Sequence, residues 1–183
     1  DARIQILHRS AKQGLGRAYI DGFKSGIASG YTHLVQMDAD GSHRPEDLPA
    51  LLAVADDFDL VIGSRWIAGG AVKNWPIYRQ LISRLGNRYA AWMLGSELED
   101  LTAGFRIYSA SLLSKIDLSK VQAQGYGFQV EMTSKARGVG ASITEVPITF
   151  VERVNGRSKM TLAIVFEAYL LCSKWGILRL FKR

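Results

Sequence analysis

The stretch His33-Leu34-Val35-Gln36-Met37-Asp38-Ala39-Asp40-Gly41-Ser42-His43-Arg44-Pro45-Glu46 decides how this chain is read. A short apolar run ends in two carboxylates one residue apart, a turn follows, and Pro-Glu opens a helix. In an α/β protein that order sets Asp38 and Asp40 at the carboxyl end of a strand, where open sheets bind ligands. Two hard oxygen donors there suit Mg²⁺ or Mn²⁺ shared with the phosphates of a nucleotide. Asp-X-Asp alone is a weak signal, because a turn capped by its own carboxylates reads the same way. The weight comes from Arg65, Arg79, Arg153 and Lys159 downstream, each at a predicted loop or helix start.

Outward from this stretch, apolar periodicity alternates between strand and helix. Residues 3–8 alternate and predict a strand. Residues 14–28 predict a helix stopped by Gly30. Residues 33–37 predict a strand, 45–54 a helix and 60–63 a short buried strand. Such β-α-β-α-β order implies a parallel sheet with right-handed crossovers. Gly69-Gly70 breaks the chain, and 76–94 predicts a long helix. A strand is expected at 105–108, and helices at 110–116 and 128–137. Residues 142–152 read as a strand bent or set at an edge by Pro147. Asn155-Gly156 reads as a turn and 162–181 as a final helix.

The chain has 183 residues, a length that predicts one domain with a sizeable core. Its formal charge of +6 favours anionic partners such as a phosphorylated ligand, an anionic membrane surface or a nucleic acid. Nucleic acid is the weakest of these, since the aromatics fall on apolar helix faces and no DNA or RNA motif occurs. Cys172 is the single cysteine, which excludes an internal disulfide and fits a reducing compartment. The opening residues carry no signal-peptide pattern. The helices at 76–94 and 162–181 each join an apolar stripe to Arg or Lys. Glu167 and Lys174 argue against spanning, so both are expected to lie in a membrane interface or to pack as core helices with solvated basic faces.

Arg65 follows a buried strand directly, which sets a guanidinium with paired donors at the ligand edge of the sheet. Arg79 and Ser83 are i and i+4 and share a helix face that could hold an acceptor's phosphate. Arg153 and Lys159 flank Asn155-Gly156, so a loop with two cations could close over a diphosphate. His8, His33 and His43 have no metal-ligand spacing. His43 is expected to cap or pack beside the metal loop.

Five ordered blocks carry a family resemblance: Gly14-Leu15-Gly16-Arg17-Ala18-Tyr19, Met37 through Glu46, Gly63-Ser64-Arg65 with Gly69-Gly70, Asp100-Leu101-Thr102-Ala103-Gly104-Phe105-Arg106, and Arg153-Val154-Asn155-Gly156-Arg157-Ser158-Lys159-Met160. Together they resemble the polyprenyl-phosphate (dolichol-phosphate) mannose synthases, inverting glycosyltransferases. The resemblance implies a GT-A-type, Rossmann-like, mostly parallel sheet flanked by helices, over residues 1–159. An amphipathic helix at 160–183 is expected to pack on that domain or on the membrane. The implied reaction moves mannose from GDP-mannose to a polyprenyl monophosphate at the cytoplasmic face of a membrane, with Mg²⁺ or Mn²⁺. A related synthase using UDP-glucose or another donor, and a non-catalytic basic membrane-binding module, are the rival readings.

By the same resemblance Asp38, Asp40 and Ser42 bind the metal. Asp38, Ala39, Asp40, Arg65, Arg153 and Lys159 take the donor. Arg65, Arg79 and Ser83 take the acceptor's phosphate, and Asp40 and Arg65 act in catalysis. Asp100 is read as structural or as orienting the sugar, and Glu131 as a structural acid or a sugar contact. The family's first two strands, which hold base and ribose, have no counterpart among these residues, so the match is expected to begin at the third strand of the family's sheet.

Overall fold

The computed structural model describes residues 3–123, 125–152, 169–170 and 172–177. Helix α1 (Leu15–Ala28) leads into strand β1 (His33–Gln36). A 3₁₀ turn (Pro45–Asp47) and helix α2 (Leu48–Leu52) follow. Then come β2 (Leu60–Ser64), β3 (Ala71–Lys73) and the long helix α3 (Ile77–Leu94). Strand β4 (Arg106–Ser109), helix α4 (Ala110–Lys115), helix α5 (Tyr126–Gly138) and strands β5 (Ile143–Pro147) and β6 (Thr149–Val151) complete the order.

The main sheet has the order β1-β4-β2-β5. β2 and β5 are parallel, while β4 runs antiparallel to both β1 and β2. Three of the four strands therefore share one direction, as the alternation of strands and helices predicts, and β4 opposes them from the middle. The register stacks Leu34, Tyr108 and Leu60 in one row and Val35, Ile107 and Val61 in the next. All five residues of β2 are buried, which fits a continuous apolar strand covered on both faces. On one face Leu60, Ile62 and Tyr108 meet Ile20 and Phe23 of α1 and Phe128 and Met132 of α5. On the other, Val61, Phe105 and Ile107 meet Leu51 and Ile148. A third cluster joins Ala90 and Leu94 of α3 to Leu101, Val130 and Cys172.

Several expectations need correction. Residues 3–8 form no strand, and Ile4, Ile6 and Leu7 are exposed. Alternation supplies a pattern, but a strand also needs a neighbour for its backbone, and none pairs with this segment among the described residues. The helix expected at 45–54 begins as a 3₁₀ turn at Pro45 and becomes α-helical only at Leu48. The strand expected at 142–152 is two strands: after Pro147 the chain leaves the main sheet and β6 pairs with β3 in a second, two-stranded parallel sheet. Strand β3 was not foreseen, since three residues after Gly69-Gly70 carry too short a pattern. The turn at 155–156 lies outside the described residues, as does most of the final helix. Helical turns at 169–170 and 172–177 pack on α3, with Tyr169 stacked on Tyr89 at 4.7 Å and the Tyr89 hydroxyl 2.6 Å from Ser173 Oγ.

Candidate active site

Asp38 and Asp40 stand in the turn that leaves the carboxyl end of β1, as the sequence predicts. Gly41 makes the turn with φ +78°, a conformation that L side chains rarely adopt. Both aspartates are half-buried, and Ala39 between them is exposed. Asp40 Oδ1 accepts from the Ser42 backbone N–H at 3.1 Å and from the Ser42 hydroxyl at 2.5 Å. Ser42 is buried, and its carbonyl accepts from Val151 N–H of β6 at 3.1 Å. The predicted third ligand is thus turned onto Asp40 as part of the same loop.

Asp38 is anchored from behind. Its backbone N–H donates to His43 Nδ1 at 3.0 Å, and its Oδ1 accepts from the Tyr19 hydroxyl at 2.6 Å. His43 is buried between Phe105 and the edge of Phe150, at ring-centroid distances of 5.2 and 5.4 Å. Burial lowers its pKa, so the ring is neutral with its proton on Nε2, since Nδ1 accepts. Burial and the neighbouring Asp38 carboxylate push the Tyr19 hydroxyl's pKa up, and it stays a donor. No group of three His, Cys, Asp or Glu converges among the described residues. Two carboxylates in an accessible turn do not make an all-protein cage. They fit Mg²⁺ or Mn²⁺, which take one or two carboxylates and complete their shell with water and substrate phosphates.

Phe150 links this turn to a cluster of arginines. The Arg65 guanidinium carbon lies 5.5 Å from its ring, 5.5 Å from Trp75 and 5.6 Å from Trp66. Arg65 is buried, and its Nε and Nη2 donate to the two oxygens of the fully buried Asp100, each at 2.7 Å. Its backbone N–H also donates to Asp100 Oδ2, and Nη2 reaches Thr102 Oγ1 at 2.9 Å. This bidentate partner was not foreseen, and it makes Asp100 the residue that orients Arg65. Asp100 is held in turn by Glu145, whose carboxylate accepts from the backbone N–H groups of residues 99 and 100. Asn87 on α3 clasps Thr102 through its side-chain carbonyl and amide, both at 3.1 Å.

Arg79 lies over the Trp75 ring at 3.9 Å and pairs with Glu152. Ser83 is on the same helix, where its backbone carbonyl accepts from Asn87. The acidic partner of Arg79 was invisible in the sequence because it arrives from 73 residues away. Arg153 and Lys159 lie outside the described residues. Glu131 accepts from the backbone N–H groups of Gln122 and Ala123, at 3.0 and 2.8 Å, which makes it a structural acid. Arg106, fully buried, also went unforeseen. It donates to the carbonyls of Leu101, Ala103 and Gln129 and to the Thr133 hydroxyl, tying the loop of Asp100 to α5.

Comparison with known proteins agrees with this arrangement. Residues 1–117 match glycosyl transferase family 2. An undecaprenyl-phosphate mannosyltransferase of Micrococcus luteus is 52% identical over 177 residues, which are 97% of this chain and 73% of that protein. A polyprenol monophosphomannose synthase of Mycolicibacterium smegmatis is 48% identical over 176 residues, 96% of this chain and 66% of that protein. In fold, the chain is similar to glucosyl-3-phosphoglycerate synthase from Mycobacterium tuberculosis in complex with Mn²⁺, uridine diphosphate and phosphoglyceric acid. That likeness has a TM-score of 0.64 at 16% identity and covers 92% of this chain and 56% of that one. With a GT-A fold, an Asp-X-Asp turn at the carboxyl end of β1 and half of its residues shared with these relatives over nearly its whole length, the chain belongs to glycosyl transferase family 2, among the polyprenyl-phosphate mannose synthases.

Proposed function

We propose that this chain takes part in moving mannose from GDP-mannose to a polyprenyl (dolichyl-type) monophosphate, with inversion, at the cytoplasmic face of a membrane. The observation that carries the reading is the Asp38–Asp40 turn set across Phe150 from the buried Arg65–Asp100 pair. One side offers carboxylates for a cation, and the other a guanidinium of fixed orientation, as a diphosphate requires. A divalent ion held by Asp38 and Asp40, with Ser42 in the same loop, would neutralise the diphosphate as it departs.

The remaining roles fall to the chain's own residues. Arg65, steered by Asp100, meets phosphate charge on the donor or acceptor side. Ala39 lies at the open tip of the turn, where its backbone can approach the donor. Arg79 exchanges Glu152 for the acceptor's phosphate, and Ser83 lies one turn further along. Arg153 and Lys159, which lie outside the described residues, are assigned to the donor's diphosphate by the family resemblance alone. In the transfer, an acceptor phosphate oxygen forms a bond to C1 of the mannose. The bond from C1 to the donor's phosphate oxygen breaks, and its electron pair leaves with GDP. The attacking oxygen is already anionic, so no general base is needed.

The outward face of α3 supports a membrane site. Ile77, Tyr78, Leu81, Ile82, Leu85 and Trp92 are all exposed there, beside exposed Arg84 and Arg88. No described helix is long and apolar enough to cross a bilayer, so α3 would lie in the interface. Trp175 is partly buried against the third core cluster and so adds little to that exposed face. The deciding experiment offers GDP-[¹⁴C]mannose or UDP-[¹⁴C]glucose with polyprenyl phosphate, with Mn²⁺ and with EDTA. Mannosyl lipid formed only with Mn²⁺ is the expected result. Glucosyl lipid would shift the reading to a related synthase, and label in neither lipid would favour a non-catalytic membrane module.

A further inference from the structure

Asp38 is not simply a carboxylate in a turn. A helix that begins more than twenty residues earlier reaches over to hold it, and the reason lies in how α1 is seated. A Cβ added at Gly16 would stand 2.8 Å from the Phe128 ring and 2.9 Å from the Ala123 carbonyl. Only glycine lets α1 come this close to the start of α5. The segment that Gly16 touches is fixed by Glu131, which accepts the N–H groups of Gln122 and Ala123. One turn along α1, Tyr19 stacks on Phe128 at 5.9 Å and on Phe23 at 6.3 Å, with interplanar angles of 17° and 22°. Stacked against two phenylalanines, the ring has little freedom, and its hydroxyl meets Asp38 Oδ1 at 2.6 Å.

We propose that Tyr19 is a positioning residue for the metal turn, its hydroxyl fixing the orientation of the Asp38 carboxylate before a divalent ion binds. The proposal rests on the metal role given above to Asp38 and Asp40. The hydroxyl occupies one carboxylate oxygen, Oδ1, while Oδ2 faces the loop at Gly104. His43 secures the backbone of the same residue, so Asp38 is held at main chain and side chain together. Hydrogen bonds to ligating carboxylates from outside the ligand set commonly alter metal affinity by about 10- to 100-fold.

The test is Tyr19→Phe, which keeps the stacked ring and removes only the hydroxyl. Mn²⁺ binding is measured by electron paramagnetic resonance with GDP present, beside thermal unfolding and the Mn²⁺ dependence of transfer. The Mn²⁺ dissociation constant should rise about 10- to 100-fold. The Mn²⁺ concentration for half-maximal rate should rise with it, while the rate at saturating Mn²⁺ falls far less. Unchanged or tighter Mn²⁺ binding in Tyr19→Phe, with a lowered unfolding temperature, would make the hydroxyl a packing group and overturn the proposal. Asp40→Asn separates the two levels. If the wild type takes up Mn²⁺ and Asp40→Asn does not, the metal role stands and Tyr19→Phe decides the positioning role. If the wild type binds no Mn²⁺, or Asp40→Asn binds it equally, both fall.

Discussion

Arg65 and Arg106 are both buried, yet their charges are met differently. Arg65 has a carboxylate, Asp100, with no exposed surface. Arg106 has three backbone carbonyls and the Thr133 hydroxyl, so partial charges replace a full one. Removing one member of a buried pair strands the other's charge. Asp100→Ala should therefore cost about 3–5 kcal/mol in urea unfolding, with Asp100→Asn losing less because its amide still accepts one N–H. The turn at Asp38 and Asp40 is more accessible. Replacing either by Ala should abolish transfer at saturating donor and leave the far-UV spectrum nearly unchanged, with a loss of stability limited to the hydrogen bonds of that carboxylate, about 1–3 kcal/mol. At this scale the sequence declares residue types well. Two carboxylates and a following Pro-Glu were enough to find the turn. It does not declare partners: Asp100 for Arg65, Glu152 for Arg79 and Tyr19 for Asp38 come from 35, 73 and 19 residues away.

Elements were legible where apolar residues ran on unbroken or recurred at a regular period. Helices α1 and α3 fall within a residue of expectation, and so do β1 and β2. What failed was pairing. The pattern at 3–8 has no neighbour among the described residues, and the bend after Pro147 hands the chain to a second sheet. Direction was equally hidden, because a four-residue strand reads the same from either end. Asp59 shows what fastens these strands once they meet. It lies just before β2, takes the N–H and hydroxyl of Ser142 before β5, and reaches Ser109 at the end of β4 at 3.4 Å. The Ser142 N–H, and then the hydroxyls, hold its carboxyl below the usual range. A lowered folded-state value adds stability above the unfolded value near 3.9. That gain disappears as pH falls through the unfolded value and then the folded one. Asp59→Asn should thus be less stable than the wild type at about pH 6, and the gap should narrow as pH falls below the unfolded value. Urea midpoints across that range check it.

On the scale of the molecule, the proposed membrane contact would draw on the charge of +6 and on the apolar face of α3 that is exposed among the described residues. Each basic residue near an anionic surface adds about 1 kcal/mol, and the polyprenyl tail costs about 0.8 kcal/mol per CH₂ to withdraw from the bilayer. The double substitution Leu81→Glu with Leu85→Glu should lower flotation with anionic vesicles several-fold. Its unfolding temperature should not fall, because both side chains are already exposed. A parallel drop in stability and flotation would mean that the face packs against protein instead. The central, reversed β4 has a consequence of another kind, for synthesis. β1 and β2 are each complete once residue 64 has been made, but neither can bond to the other, because residues 106–109 belong between them. Until some forty further residues leave the ribosome, the edges of β1 and β2 that β4 will bond stay bare, open to pairing with other nascent chains. A pulse-labelled chain halted before residue 105 should be captured by chaperones, and one released past 109 should escape them. Closure of this sheet during synthesis therefore waits on four residues in its middle.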